Sequence, residues 1–236
     1  MGDPAGIGPE VIAKALSGGR LHKICRPLVI GSLAVMVRTV KTLRLKLTVL
    51  PIDGHETPAL RPGTVALLDP LSTPLGRFTP GLAAAETGAA SVTFIEKAVE
   101  LAQLGCLDGI VTAPINKEAI NMAGCRYPGH TELLADLTQA KESGMMIVGG
   151  PLRIMFATTH VAIKELPTLL TQARIEKTIR LAHLALTTLF GVKRPKIGVA
   201  ALNPHAGEHG LFGNEEARVI LPAARAAQAQ GILASD

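Results

Sequence analysis

Two histidines stand where apolar runs end. His160 closes "LRIMFATTH" (152–160), and His205 follows "KIGVAAL" (196–202) within "NPHAGEHG" (203–210). Neutral imidazole is the commonest side-chain ligand of borderline divalent cations, and catalytic metal sites combine three protein ligands with an open position. A lone loop histidine is ordinarily a hydrogen-bonded turn residue. Two at strand ends of one sheet can share a pocket, because ligands of open α/β sheets gather beyond the carboxyl ends of the strands. His160 and His205 are therefore read as candidate metal ligands. His209 reads as a solvated loop residue.

Three further residues can carry chemistry. Lys117 opens a short helical pattern at 116–122, after "GIVTAPIN". It is either a solvated first-turn lysine, a cation for a substrate carboxylate or phosphate, or a proton-transfer group. In "YPGHTELLADL" (127–137), Thr131 reads as an N-cap with Glu132 in the first turn. The same helix start offers free backbone N–H groups to an anion, and His130 and Thr131 add side-chain donors. "GDPAGIGPE" (2–10) is a glycine-rich loop leading into a helix, with Pro9 in its first turn. It lacks the third glycine and the preceding strand of a dinucleotide-binding fingerprint, so that reading is rejected. His22, His55 and His183 receive no role; His183 shares a polar helical stripe with Arg180 and Thr187 and is expected to face water.

The elements that must position these residues follow from periodicity. Segments 27–32, 46–50, 63–68, 108–113, 144–149, 152–160 and 196–202 read as strands, most of them buried on both faces. Helical patterns cover 83–104, 172–190 (Ile175, Ile179, Ala182, Leu186 and Leu189 on one stripe) and 214–230, each stopped by a glycine. The alternation indicates an α/β fold with a largely parallel sheet. The run 152–160 follows its predecessor so closely that a hairpin, and hence a mixed sheet, is expected. A further strand is predicted at "GILASD", and the loops 51–62 and 69–80 are candidate lobe boundaries.

Composition narrows the function. Of 236 residues, 47% are hydrophobic and 18% charged, enough for a sizeable core. With no Trp and one Tyr, a single-strand nucleic-acid binder built on aromatic stacking is excluded. The net charge of +5 comes from scattered Lys and Arg, which fits attraction for anionic metabolites rather than nucleic acid. Three widely spaced cysteines form no CxxC and indicate a reducing cytoplasm. No apolar run is long enough to span a membrane.

Taken in order, "GDPAGIGPE", "TAPINKEAI", "YPGHTELLAD", "FATTHVAIKEL" and "ALNPHAGEHGLFGNEE" resemble the 4-hydroxythreonine-4-phosphate dehydrogenase family of vitamin B6 (pyridoxine) biosynthesis, across nearly the whole chain. The resemblance implies a three-layer αβα, two-lobed fold of the isocitrate and isopropylmalate dehydrogenase type, with residues 1–236 as one incomplete family domain of two interleaved lobes. It implies a homodimer whose active site lies in the interlobe cleft at the dimer interface. His160 and His205 match two of the family's three metal-binding histidines, His130 and Thr131 its substrate-contacting pair, and Lys117 a lysine for which a catalytic role is expected. The implied reaction is oxidation of 4-(phosphooxy)-threonine by NAD or NADP to a β-keto acid that decarboxylates to 3-amino-2-oxopropyl phosphate. A divalent cation (zinc, cobalt, magnesium or manganese) acts as Lewis acid on the reacting oxygen, and an all-imidazole shell leans towards zinc or cobalt. Which residues bind the cofactor is not legible.

The family pattern continues past both ends of this sequence and places its third metal histidine in the part that follows. Alternatives are the same chemistry on 4-phosphorylated threonate, erythronate or a dihydrodiol, a metal-dependent hydrolase with Glu208 as base, or a catalytically dead fragment. Exposed apolar sheet surface and a tendency to associate are expected of the isolated chain. Because metal affinity rises with ligand count and its supporting shell, the purified 236-residue chain is expected to show little or no reduction of NAD(P) with 4-(phosphooxy)-threonine; robust turnover in an absorbance assay overturns that expectation.

Overall fold

A strand buried on both faces needs helices on each side, and the first part of the chain supplies them. The computed structural model describes residues 1–54, 61–127 and 129–235. Strands β1 (Leu28–Ile30), β2 (Thr48–Pro51) and β3 (Thr64–Leu68) form a parallel sheet in the order β1-β3-β2. Val29 lies level with Leu67, and Val49 with Val65. Alternation sends Val29, Val65 and Leu67 into one cluster with Ala13 and Leu16 of α1 (Gly8–Ser17) and Met36 of α2 (Leu33–Thr42). Ile30 and Leu68 turn to the other face, against Ala90, Phe94 and Ala98 of α3 (Ala85–Gln103). The result is three layers, helix on sheet on helix. Two short helices, α4 (Lys117–Met122) and α5 (His130–Leu137), pack against α3.

These elements make one unit, Met1–Lys141; Glu142–Asp236 make a second. In the second, β4 (Met146–Gly149) and β5 (Leu152–Met155) form an antiparallel hairpin. After it come α6 (Leu166–Leu169), α7 (Gln172–Thr188), β6 (Lys196–Gly198), α8 (Leu221–Ala229) and β7 (Leu233–Ser235), with β6 and β7 paired in parallel. The core of this unit gathers Ile175 and Ile179 of α7, Ile220, Ala223 and Ala227 at and within α8, and Ile232 and Ala234 around β7.

The α/β class, the hairpin, the final strand and all three long helical patterns are present. Ile175, Ile179 and Ala182 form the buried stripe of α7, whereas Leu189 lies past the helix end and is 80% exposed. The pattern 214–230 is broken: a π-helical turn, Glu216–Ile220, precedes α8, because Pro222 in the first turn of α8 has no N–H to continue one uniform ladder. Residues 108–113 form no strand. Val111 is 99% exposed, and the segment is held instead by the Asp3 N–H donating to the Pro114 carbonyl at 3.0 Å; apolar composition makes no strand without a ladder partner. The runs 152–160 and 196–202 pair only as far as Met155 and Gly198. Among the described residues there are three small sheets. The hairpin is not buried on both faces, for Ile147, Val148, Leu152 and Ile154 are all exposed. Residues 55–60, including His55 and part of the loop 51–62, lie outside the described residues, and the division between units falls at 141/142, away from both irregular loops. Among the described residues no helix is long and apolar enough to cross a membrane.

One close approach fixes α4. A Cβ on Gly88 of α3 would collide with the backbone of Ala119 and Ile120, both fully buried. Gly88→Ala is therefore expected to push α3 and α4 apart and lower stability by about 1–3 kcal/mol, read as a reduced urea midpoint. Ala89→Ser, on the exposed face of the same helix, should shift it by no more than about 0.5 kcal/mol.

Candidate active site

In the first unit the chemistry-bearing residues sit at two helix starts. Asn116 caps α4 by accepting the Ala119 N–H at 3.1 Å, which sets Lys117 as the first helical residue with its side chain exposed. The turn just upstream is pinned from the other end of the unit. Asp3, itself buried, receives the Ala5 N–H on its carboxylate at 2.9 Å, and its own N–H goes to Pro114. "GDPAGIGPE" thus serves as a backbone brace for the segment leading to Lys117.

His130 opens α5, and Gly129, in extended backbone, is the cap; Thr131 is a first-turn residue rather than the cap. A threonine one position inside the helix cannot close the orphan donors before it, so the N–H groups of that first turn lack a side-chain cap. The His130 Nε2 is buried with no hydrogen-bond partner among the described residues. Burial, and secondarily the Met1 ammonium, lower its pKa. Burial holds the Met1 amino group itself at about 5, so desolvation alone sets the state of His130 at neutral pH, and the ring is neutral. Beside it, Tyr127 donates to Asp136 across α5 at 2.5 Å and ties the approach to the helix.

In the second unit, His160 ends the loop that follows β5, and His205 starts a turn running from Pro204 to Gly210. Both have positive φ, 55° and 51°, and both side chains are exposed. The backbone stays in the left-handed region through Ala206, Gly207, Glu208 and His209. Glu216, at the head of the π-helical turn, grips the start of this segment: one carboxylate oxygen accepts the Leu202 N–H at 2.9 Å and the Asn203 N–H at 2.7 Å. The other accepts the Asn203 side-chain amide at 3.1 Å, and Glu215 accepts the same amide at 2.7 Å. Desolvation pushes the Glu216 pKa up, but the bonds from Asn203 and Leu202 outweigh it and hold the carboxylate below its ordinary value. The His205 ring leans only on Phe212, 6.3 Å away between centroids and tilted 44°.

The sequence located Lys117, His130, Thr131, His160 and His205 but missed Asn203, Glu215 and Glu216 as a working group. The available signal was a pair of acids just ahead of an apolar helix, following Gly213 and Asn214. His183 also differs from expectation: it does not simply face water, since its Nδ1 is buried without a partner, whereas the His22 Nε2 bonds to the Thr64 carbonyl at 2.9 Å. Among the described residues no three His, Cys, Asp or Glu side chains are grouped to hold an ion. The donor set at hand is the two exposed imidazoles, whose chemistry suits zinc or cobalt.

A three-layer α/β packing with imidazoles on the loops beyond its strands is the architecture of a small-molecule enzyme. Residues 23–236 match the family model "Pyridoxal phosphate biosynthetic protein PdxA", and the chain belongs to that family. It is 44% identical over 228 residues to the 4-hydroxythreonine-4-phosphate dehydrogenase of Desulfosudis oleivorans, a match covering 97% of this chain and 67% of that protein. It is 41% identical over 241 residues to the D-threonate 4-phosphate dehydrogenase of Pectobacterium atrosepticum, covering 98% and 71% respectively. Its backbone superposes on the crystal structure of 4-hydroxythreonine-4-phosphate dehydrogenase from Klebsiella pneumoniae with a TM-score of 0.92 at 40% identity, covering 100% of this chain and 71% of that one.

The state of His130 can be measured. The fold favours its neutral form, so an unfolded imidazole near pH 6.5 takes its proton first. Its contribution to stability is complete above about pH 6.5 and is lost as pH falls from there through the lowered folded value. Proton NMR should give His130 a titration midpoint below about 6.5, and a midpoint at or above that value contradicts its desolvation.

Proposed function

We propose that this chain carries the substrate-contacting and metal-holding parts of an NAD(P)-linked dehydrogenase acting on 4-(phosphooxy)-threonine. The hydride from the hydroxyl-bearing carbon passes to the nicotinamide and the hydroxyl proton to solvent. The resulting β-keto acid loses carbon dioxide, takes up a proton at the vacated carbon, and leaves 3-amino-2-oxopropyl phosphate. When bound, a divalent cation supplies Lewis acidity at the reacting oxygen. The observation that carries the reading is the buried, unpartnered Nε2 of His130 at an uncapped helix start, an arrangement built to receive a polar group from outside the chain.

Each residue then has a task. His130 and Thr131 take up polar oxygens of the substrate, with the α5 N–H groups favouring negative charge there. Lys117 stands at the start of α4 as a cation or proton carrier. In the other unit His160 and His205 hold the metal, and the exposed apolar hairpin β4–β5 supports a homodimer as the working form. The family's isocitrate dehydrogenase-type architecture accommodates NAD(P) without a Rossmann loop, and three free cysteines accord with a cytoplasmic setting.

A second substrate has a specific observation behind it. The threonine-phosphate and threonate-phosphate relatives are 44% and 41% identical to this chain, too close to separate the two. Calorimetric titration of the chain with each compound tests both. 4-(Phosphooxy)-threonine is expected to bind more tightly, and His130→Ala to weaken it about 10- to 100-fold through one lost strong hydrogen bond. Tighter binding of D-threonate 4-phosphate reassigns the substrate, and indifference to His130→Ala removes the site.

A further inference from the structure

Nothing in the covalent chemistry of "NPHAGEHG" favours its backbone. His205, Ala206, Glu208 and His209 are L-residues with φ between 41° and 55°, around Gly207 at 79°. Successive left-handed residues cost roughly 1–2 kcal/mol each, so such a run persists only where its surroundings impose it. The ring of His205 cannot impose it, for its one aromatic neighbour, Phe212, is itself 47% exposed.

Glu216 is the group that reaches every part of the turn. Its carboxylate holds the entrance through the N–H groups of Leu202 and Asn203. It lies against the middle, where a Cβ on Gly207 would come within 3.0 Å of its Oε2 and 2.7 Å of the Gly213 carbonyl. It holds the exit indirectly, because the Asn203 amide that it accepts is the group against which Gly213 packs. On its other side, Glu216 is continuous with Ile220, Ala223 and Ala227 in the core of the second unit. One carboxylate therefore refers an exposed, strained turn to a buried helix.

We propose that Glu216 is the positioning residue for His205, winding 205–209 into the left-handed turn that presents the imidazole to the metal, with Asn203 and Glu215 as its accessories. This rests on the reading of His205 as a metal ligand. The role is structural in means and specific in effect: losing it releases the ring rather than the fold.

The test uses cobalt(II) alone as probe and the 236-residue chain, with binding followed by calorimetry and by the visible d–d spectrum, and folding by far-ultraviolet circular dichroism. His205→Ala should abolish or strongly weaken cobalt binding. Glu216→Ala is expected to lower cobalt affinity about 10- to 100-fold, the range for a lost supporting partner of a metal ligand, with the dichroism spectrum unchanged. Glu216→Gln keeps an oxygen that can accept both backbone N–H groups and should recover most of that loss. Amide exchange at Leu202 and Asn203 should be slow in the parent chain and in the Gln variant. If His205→Ala binds cobalt like the parent, the metal reading itself fails. If His205→Ala loses cobalt while Glu216→Ala keeps it, the metal reading stands and the positioning role is overturned. Should Glu216→Ala not fold, the Gln variant and the exchange rates decide, and fast exchange at Leu202 and Asn203 in the parent overturns the proposal.

Discussion

The left-handed turn from His205 to His209 is the constraint on which the second unit is organised. It fixes where the neighbouring side chains can be: Gly207 and Gly213 face each other because a Cβ at either would strike the Asn203, Glu215 or Glu216 groups. It also explains why the helix that follows begins irregularly. The π-helical turn Glu216–Ile220 lets Glu216 face back towards Leu202 and Asn203 while Ile220 still reaches the core. A regular helix start would satisfy its own backbone; this one is shaped to satisfy the backbone of another segment.

The first unit positions its residues by contact rather than by charge. Gly88 lets α3 and α4 touch backbone to backbone, and the Asp3 N–H fastens the Pro114 carbonyl ahead of Lys117. Neither device uses an ion pair. The ion pairs among the described residues, such as Lys14 with Glu10 and Lys97 with Glu100, are surface helix pairs, a type that contributes little to stability. Precision in this chain comes from close packing and from hydrogen bonds aimed at backbone N–H groups.

This division explains what could be read from the sequence. Periodicity reports burial, so the stripe of α7, the alternating β3 and the hairpin β4–β5 were legible, as was β7 from the strand–helix alternation. Periodicity does not report ladder partners, and "DGIVTA" reads as a strand while lying alongside a brace loop with Val111 in solvent. Residue type reports possible chemistry, so the histidines and Lys117 stood out. Roles that depend on who receives a hydrogen bond are silent in the sequence. Thr131 and Gly129 are both plausible caps by type, and only the backbone conformation at Gly129 decides between them. Glu216 looks like an ordinary first-turn acid because its partners lie thirteen and fourteen residues upstream. His183, placed on a polar stripe by spacing, still has one ring nitrogen out of contact with water.

The neutrality of His130 bears on how the proposed substrate is handled. A charged imidazole at the head of α5 would bind a phosphate strongly but would be repelled by the positive end of the helix dipole and by its own desolvation. A neutral ring avoids both costs and retains one donor and one acceptor nitrogen, the pair needed to orient a hydroxyl rather than merely neutralise an anion. The charge opposite a phosphorylated acid is then left to cations such as Lys117 and to the net excess of five positive charges over the chain. Recognition and attraction are thereby assigned to different residues, so the group that orients the substrate is not the group that draws it in. For a site that must distinguish a hydroxy acid from other small phosphates, that separation is the more discriminating arrangement, since an unmet donor or acceptor is penalised more sharply than a lost point charge in water.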